Sequence, residues 1–312
     1  MPRHAAIFLL LLSTIFLPTH AHAALNITKT GNLTATNFDE LGFDPTGLVG
    51  YWQLNGNAKD SSGYHNDGTI VGATATTDRF GVAGQALNFN GNYVTIPHSS
   101  SLLLETITVT VWVRSTSNAS TYQQGIVGKA NLYGASEGGW MLRKGKYGGS
   151  GSSAPNDNKF YFSTTYYPRE VYVPCSNVAY TDNAWHFIVC IHDGVSFNES
   201  LYVDGVKQTI VRTAGGSLNP FIQPVTIGRA YGDAFNASYE SSFTGQIDEV
   251  KIFSRVLSAA EILAMYNHEK GKFSVGKDGT DKAVSFVEDP ALPVQMRSKK
   301  QSLTVKGHLI QN

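Results

Sequence analysis

The chain predicts an all-β protein, two antiparallel sheets packed face to face, and three observations carry that reading. Short segments alternate apolar and polar residues with a period of two, and Gly, Asn and Asp turn signals separate them at near-regular spacing. The composition agrees: Gly 31, Tyr 15 and only 15% charged residues suit many short strands better than a helical bundle. The most informative stretch is WHFIVCIHDGVSFNESLYVDG, from Trp185 to Gly205. Trp185, Phe187, Val189 and Ile191 fall on one strand face, and His186, Ile188, Cys190 and His192 on the other. Asp204-Gly205 then supplies a positive-φ turn after the strand Leu201-Tyr202-Val203.

The chain opens with Arg3, an apolar run from Ile7 to Leu17, Pro18 and the small-residue ending Ala21-His22-Ala23. This pattern predicts a signal peptide over residues 1–23, and hence a secreted, extracellular protein. The run stops short of the roughly 20 apolar residues of a span, and no later segment is apolar enough, so no membrane span is expected. Residues 24–46 are polar, aperiodic and read as a linker. A first strand begins at Gly47 and runs to Leu54, before the turn-rich Asn55 to Gly68. Further strands follow at Ala86–Asn90, Tyr93–Ile96, Thr106–Arg114, Gly125–Lys129, Gly139–Lys144, Lys159–Thr165, Gln223–Arg229 and Phe243–Phe253. Lys144 to Asn158 carries the Gly/Ser stretch of a loop. Ser258 with Glu261 forms a capping box that starts one helix, expected to end near Asn267. Residues 269–312 form a charged tail with two candidate strands, Ala283–Val287 and Ser302–Ile310.

Charge narrows the partners. With 24 Lys+Arg against 24 Asp+Glu the formal net charge is +0, which argues against nucleic acid, a ligand held by phosphate attraction. Export makes the two cysteines interpretable, because oxidising compartments preserve disulfides. Cys175 and Cys190 lie almost symmetrically about Asp182-Asn183. If the flanking segments pair antiparallel across that turn, the sulfurs sit opposite each other, and a Cys175–Cys190 disulfide is expected.

Several fragments taken in order carry a family resemblance: YWQLNGNAKDSSGYHNDGT (Tyr51 to Thr69), GQALNFNGNYVTIP (Gly84 to Pro97), ITVTVWVR (Ile107 to Arg114), WHFIVCIHDG, LYVDG, IGR (Ile227 to Arg229) and FTGQIDEVKIFSRVLSAAEI (Phe243 to Ile262). In order and spacing they resemble the LamG-like domains of the concanavalin A-like lectin/glucanase superfamily, related to laminin G and pentraxin modules. The resemblance covers residues 47–268. It implies a two-sheet antiparallel jelly roll with first and last strands adjacent. It also implies a structural Ca²⁺ ion between the loop Asp60 to Gly68 and the IDEV strand, with Asp60, Asn66 and Asp248 as ligands. Hard oxygen donors on a turning backbone suit calcium; the same Asp60 and Asn66 equally suit Asx turns.

The superfamily includes glucanases, and Asp248-Glu249 superficially resembles their catalytic strand. Paired carboxyls must flank one glycosidic bond, whereas neighbours on a regular strand project to opposite faces, so no enzymatic activity is expected. His186 and His192 stand roughly 20 Å apart along their strand, too far to share a metal. No nucleophile elbow, phosphate loop or zinc spacing occurs. Alternation places Trp140 and Tyr161 toward the core, leaving Tyr147, Tyr166, Tyr167 and Arg169 as candidate ligand contacts. The expectation is a non-catalytic recognition or adhesion module binding carbohydrate or an extracellular protein. The alternative is a structural component of a surface assembly.

Overall fold

The computed structural model describes residues 43–116, 124–131, 138–145, 157–166, 174–209, 212–213, 218, 222–229, 242–270, 273–275 and 284–286. Two antiparallel sheets dominate it, as the alternation requires. The first contains nine strands: β1 (Leu48–Trp52), β3 (Thr74–Thr76), β4 (Ala86–Asn90), β6 (Ile107–Thr116), β10 (Asp182–His192), β11 (Asn198–Val203), β12 (Val206–Lys207), β13 (Arg212–Thr213) and β15 (Thr244–Phe253). Its order is β12-β11-β10-β6-β15-β4-β3, with β1 also paired to β15 and β13 to β11. The second contains six: β2 (Thr69–Val71), β5 (Tyr93–Ile96), β7 (Gln124–Asn131), β8 (Gly138–Lys144), β9 (Phe160–Tyr166) and β14 (Val225–Ile227), ordered β2-β5-β14-β7-β8-β9. A hairpin of β16 (Phe273–Val275) and β17 (Val284–Phe286) lies in the tail. Of the two strands expected there, the first corresponds to β17; Ser302–Ile310 lies outside the described residues.

Alternation decides what each sheet buries. On β10, Ile188 and Cys190 enter the core between the sheets, joined by Trp52, Phe89, Val109, Val111, Phe160, Phe162, Ile227, Phe243 and Ile247. Burying one such large apolar side chain stabilises the fold by about 1.5–3 kcal/mol. Phe187, Val189 and Ile191 point the other way, to a second apolar cluster on the outer face. That cluster is covered by α1 (Ala259–Glu269), which buries Ile262 and Met265 against it. Tyr266 stacks near Trp112 and Phe187, with ring centroids 6.0 and 6.2 Å apart. The predicted capping box is present: Ser258 Oγ accepts from Glu261 N, and Glu261 Oε2 accepts from Ser258 N at 2.8 Å. The helix continues two residues beyond Asn267, to Glu269.

The turns separate two roles. Asp193 to Phe197 closes the β10–β11 hairpin, with Phe197 N donating to Asp193 O at 2.7 Å. Asp204-Gly205, both at positive φ (52° and 77°), closes β11 onto β12.

Three expectations are corrected here. Cys175 and Cys190 form no disulfide: both are free and buried. The strands beside β10 are β6 and β11, so Cys190 faces Val109 and Leu201, while Cys175 is bridged to Tyr161 at the edge of the other sheet. The segment before Asp182 therefore never folds back along β10. Tyr161 is buried, but on the outer face of β9, because Phe160 and Phe162 take the core-facing positions; Trp140 does join the core. Asp248 and Glu249 do not project to opposite faces. Between Asp248↔Trp112 and Lys251↔Thr110 the register shifts by one residue, and Glu249 takes φ 53°. This bulge turns Asp248, Glu249 and Lys251 toward the same outer face.

Candidate functional site

The outer face of the six-stranded sheet carries paired cations and aromatics. Arg143 on β8 lies across from Tyr161 on β9, and its guanidinium sits 5.6 Å from the Tyr161 ring centre. Arg143 also faces Gly125 on β7. Gly125 is bridged to Ser242, and Ser242 to Arg229, whose guanidinium stacks 4.1 Å over the part-exposed Tyr93 ring. Two Arg–Tyr pairs thus flank a glycine on one strand row. Arg229 Nε has no hydrogen-bond partner among the described residues, and Thr226 Oγ1 donates to Arg229 O at 3.0 Å. Tyr161 OH donates to Asp157 Oδ2. Burial first, then that bond, raises the Tyr161 phenol well above its ordinary pKa. Arg143 and Tyr161 are buried, at 2% and 8% exposure, so of the two pairs it is the half-buried Tyr93–Arg229 stack that presents a cation–aromatic surface of the kind that packs against sugar rings and peptide groups.

A second cluster lies under α1. Lys251 is fully buried; its Nζ donates to Glu249 Oε2 and Glu269 Oε1, each at 3.0 Å, and lies 4.5 Å from the Tyr51 ring centre. Burial disfavours its charge, but Glu269 and Glu249 outweigh that and raise the ammonium pKa far above normal. Tyr51 OH donates to Glu249 Oε2 at 2.5 Å. Burial opposes ionisation of Glu249, yet Lys251 and this phenol hold it below the usual carboxyl range. Arg79 Nη1 donates to Asp248 Oδ2 at 2.6 Å. Burial and the neighbouring Glu249 nevertheless push Asp248 up to about 8. One acid and one base side by side resemble a hydrolytic pair in their titration. Their setting differs: Asp248 is 2% exposed and α1 covers the cluster, so the pair has no access to a polysaccharide chain.

Each expected calcium ligand has hydrogen bonds of its own. Asp60 Oδ1 accepts from Tyr51 N and Ser62 N, and Oδ2 from Ser62 Oγ and Asn66 N, all at 2.8–2.9 Å. Asn66 Nδ2 donates to Val49 O and Ser101 Oγ, and its backbone carbonyl accepts from Trp52 Nε1 at 2.9 Å. The loop is a hydrogen-bonded knot that seats Trp52 in the core, which is the Asx-turn role of these residues. Asp60 is bridged to Trp52 of β1, and β1 separates it from β15. Asp248 already holds a guanidinium. Among the described residues no group of three or more His, Cys, Asp or Glu side chains is placed to hold a metal.

Of the expected ligand contacts, Tyr147, Tyr167 and Arg169 lie outside the described residues, and Tyr166 ends β9 with its backbone opposite Gly138. His186 is largely buried and hydrogen-bonded: its Nδ1 lies 2.8 Å from Asp204 Oδ2 and its Nε2 3.1 Å from Asp182 Oδ1. Burial alone would lower its pKa, but the two carboxylates raise it. His192, with Nδ1 3.5 Å from Glu199 Oε1, is buried inside the sandwich. Sequence reasoning missed Tyr93, Arg143 and Arg229; the one available signal was the polar parity of β5 and β8. It also missed Arg79 and Glu269, which topology alone brings to β15.

The Laminin_G_3 family model, described as the concanavalin A-like lectin/glucanases superfamily, matches residues 88–263, more than half of the chain. No curated protein matches it. Among solved structures, domain 4 of AbnA, a GH43 extracellular arabinanase from Geobacillus stearothermophilus, in complex with arabinotriose, is similar at TM-score 0.53 and 16% identity. That match covers 70% of this chain and 98% of the other. The binding domain of botulinum neurotoxin DC in complex with rat synaptotagmin II is similar at TM-score 0.53 and 14% identity, over 74% of this chain and 54% of the other. The binding domain of Paraclostridial Mosquitocidal Protein 1 gives TM-score 0.53 and 14% identity, over 71% and 52%. The chain thus spans about half of each toxin binding domain. These neighbours are binding domains, and among the described residues no helix is long and apolar enough to cross a membrane. The strand order, the two-sheet core and the family match lead to one conclusion: the chain belongs to the concanavalin A-like lectin/glucanase superfamily.

Proposed function

We propose that the protein is a secreted, non-catalytic recognition module that binds carbohydrate through the outer face of its six-stranded sheet. The observation that carries this reading is the Tyr93–Arg229 stack beside Gly125: two half-buried side chains, with the guanidinium 4.1 Å from the ring centre, that together present a part-exposed planar surface. An aromatic face supports the apolar side of a sugar ring, and a fixed Arg donates to its hydroxyls. The arabinotriose held by the AbnA domain supports carbohydrate as the ligand class; the synaptotagmin II complex supports an extracellular protein as the second reading. Adhesion follows from either when the ligand is on a surface. The opposite sheet is covered by α1, which favours the six-stranded face.

The test is a glycan array and an extracellular-protein array probed with the full chain and with Arg229→Ala and Tyr93→Ala. The reading expects glycan binding that falls at least tenfold in both variants. Equal glycan binding by all three proteins, or binding only to proteins, overturns it.

A further inference from the structure

Formal charge cancels over the whole chain but not within each sheet. The strands of the six-stranded sheet, β2, β5, β7, β8, β9 and β14, contain Lys129, Arg143 and Lys144 and not one Asp or Glu. Arg229, two residues past β14, adds a further cation. On the nine-stranded sheet cations meet carboxylates: Arg79 pairs with Asp248, and Lys251 with Glu249 and Glu269.

The two lysines of the six-stranded sheet are held by neutral groups instead. Lys129 Nζ donates to Gln223 O and lies 3.0 Å from His98 Nδ1. Lys144 Nζ donates to Ser115 Oγ at 2.8 Å and to Thr116 O at 2.7 Å. Burial pushes both ammonium groups down to about 8, which leaves them charged at neutral pH. Asp182, whose charge acts on Lys144 from the other sheet, is 56% exposed and already shared with His186. Arg229 makes no ion pair with a described residue, and its guanidinium rests on the Tyr93 ring. Cations held in a poorly solvated layer without matching carboxylates set up a positive potential at its surface that salt screens weakly.

We propose that the glycan taken by the Tyr93–Arg229 face carries uronate groups, whose carboxylates supply the counter-charge this sheet lacks. The proposal rests on the carbohydrate reading above and narrows it to an acidic class. A sugar ring stacked on Tyr93 brings the substituents of its edge beside Arg229, 4.1 Å from the ring centre. A planar guanidinium matches a carboxylate in shape and charge, and the resulting hydrogen bonds are about twice as strong as those to a hydroxyl. Lys129, Arg143 and Lys144 are buried and act through their field, not by contact.

The test compares acid with ester on one sugar backbone. Polygalacturonate, alginate and hyaluronate, each beside its own methyl ester, are titrated against the full chain in EGTA, with dextran sulfate as a polyanion of different shape. At least one polyuronate should bind about tenfold more tightly than its ester. Arg229→Gln should bring that acid down to the level of its ester, while Arg229→Lys should keep the acid ahead. The melting temperature of each variant reports whether it folds, and the comparison on the parent chain decides the matter without them. Equal binding of every acid and its ester overturns the acidic class and leaves the carbohydrate reading standing; no binding to any glycan, acidic, esterified or neutral, removes both. Binding to dextran sulfate as tight as to the best polyuronate, or an Arg229→Gln variant that still prefers the acid tenfold, also overturns the proposal.

Discussion

Asp248 and Glu249 turn their carboxyls to the same face of β15, because Glu249 sits in a bulge at φ 53° that gives the strand one extra residue against β6. Asp248 then meets Arg79, and Glu249 meets Lys251 and Tyr51. The two therefore shift in opposite directions, Asp248 up and Glu249 down. A left-handed conformation is costly for a residue with a side chain, and it persists here because three buried partners hold the result.

Lys251→Met should be severely destabilising. The substitution keeps the buried volume but leaves Glu249 and Glu269 without their shared ammonium. The expected loss is about 3–5 kcal/mol in urea unfolding. Adding Glu249→Gln and Glu269→Gln should recover much of it; a Lys251→Met variant within about 0.5 kcal/mol of the parent would show the pairing to be unimportant.

His186 should titrate above its ordinary value of 6.5, and Asp204→Asn should bring it down. Because its folded-state pKa is raised, its contribution is full below about 6.5 and disappears as pH rises through the folded value. Histidine NMR titration of parent and variant measures this. A midpoint unaffected by Asp204→Asn would dissociate the imidazole from the β11–β12 turn.

Gly228→Ala should cost at least about 2 kcal/mol, since Gly228 has φ 89° and an added Cβ would lie 2.2 Å from Phe89 Cδ1. Gly81→Ala makes the control: φ is 79°, but nothing lies within 4 Å. Backbone strain alone should then cost about 1 kcal/mol. Equal losses in thermal unfolding would show that the contact with Phe89 adds nothing.

Cys175 and Cys190 should both be alkylated in denatured, unreduced protein, two adducts by intact mass. In native protein Cys190 should be protected, because it is fully buried and burial raises its thiol pKa. Denatured protein that takes no adduct would contradict the placement of these thiols in separate sheets.

Calcium should leave the melting temperature within about 1 °C of its value in EGTA, since a ligand that does not bind the native state gives no stabilisation. The loop around Asp60 is held by hydrogen bonds instead. A rise of several degrees with calcium would restore a metal to this loop.

The architecture was written in local pattern. A period of two reports which residues a sheet must bury whatever its neighbours are, and a capping box or an Asp-Gly pair acts within four residues of chain. β4, β5, β6, β10 and the start of α1 follow from that. Short edge strands such as β2 and β3 were not legible, because three residues of Thr-rich sequence carry no period. The last two residues of α1 lie past the expected end because what holds Glu269 is Lys251 and Trp112, not a helix signal.

Strand order is what sequence could not supply, and order decided the chemistry. Cys175 and Cys190 look poised to bond until β6 and β11 occupy both sides of β10. Asp60 and Asp248 sit on either side of β1, a placement that no local pattern announces. Tyr93, Arg143, Tyr161 and Arg229 look unrelated until β5, β14, β7, β8 and β9 align them. Alternation along one strand is a property of the chain itself; which strands lie side by side, and where a bulge shifts their register, depends on contacts between residues far apart in sequence.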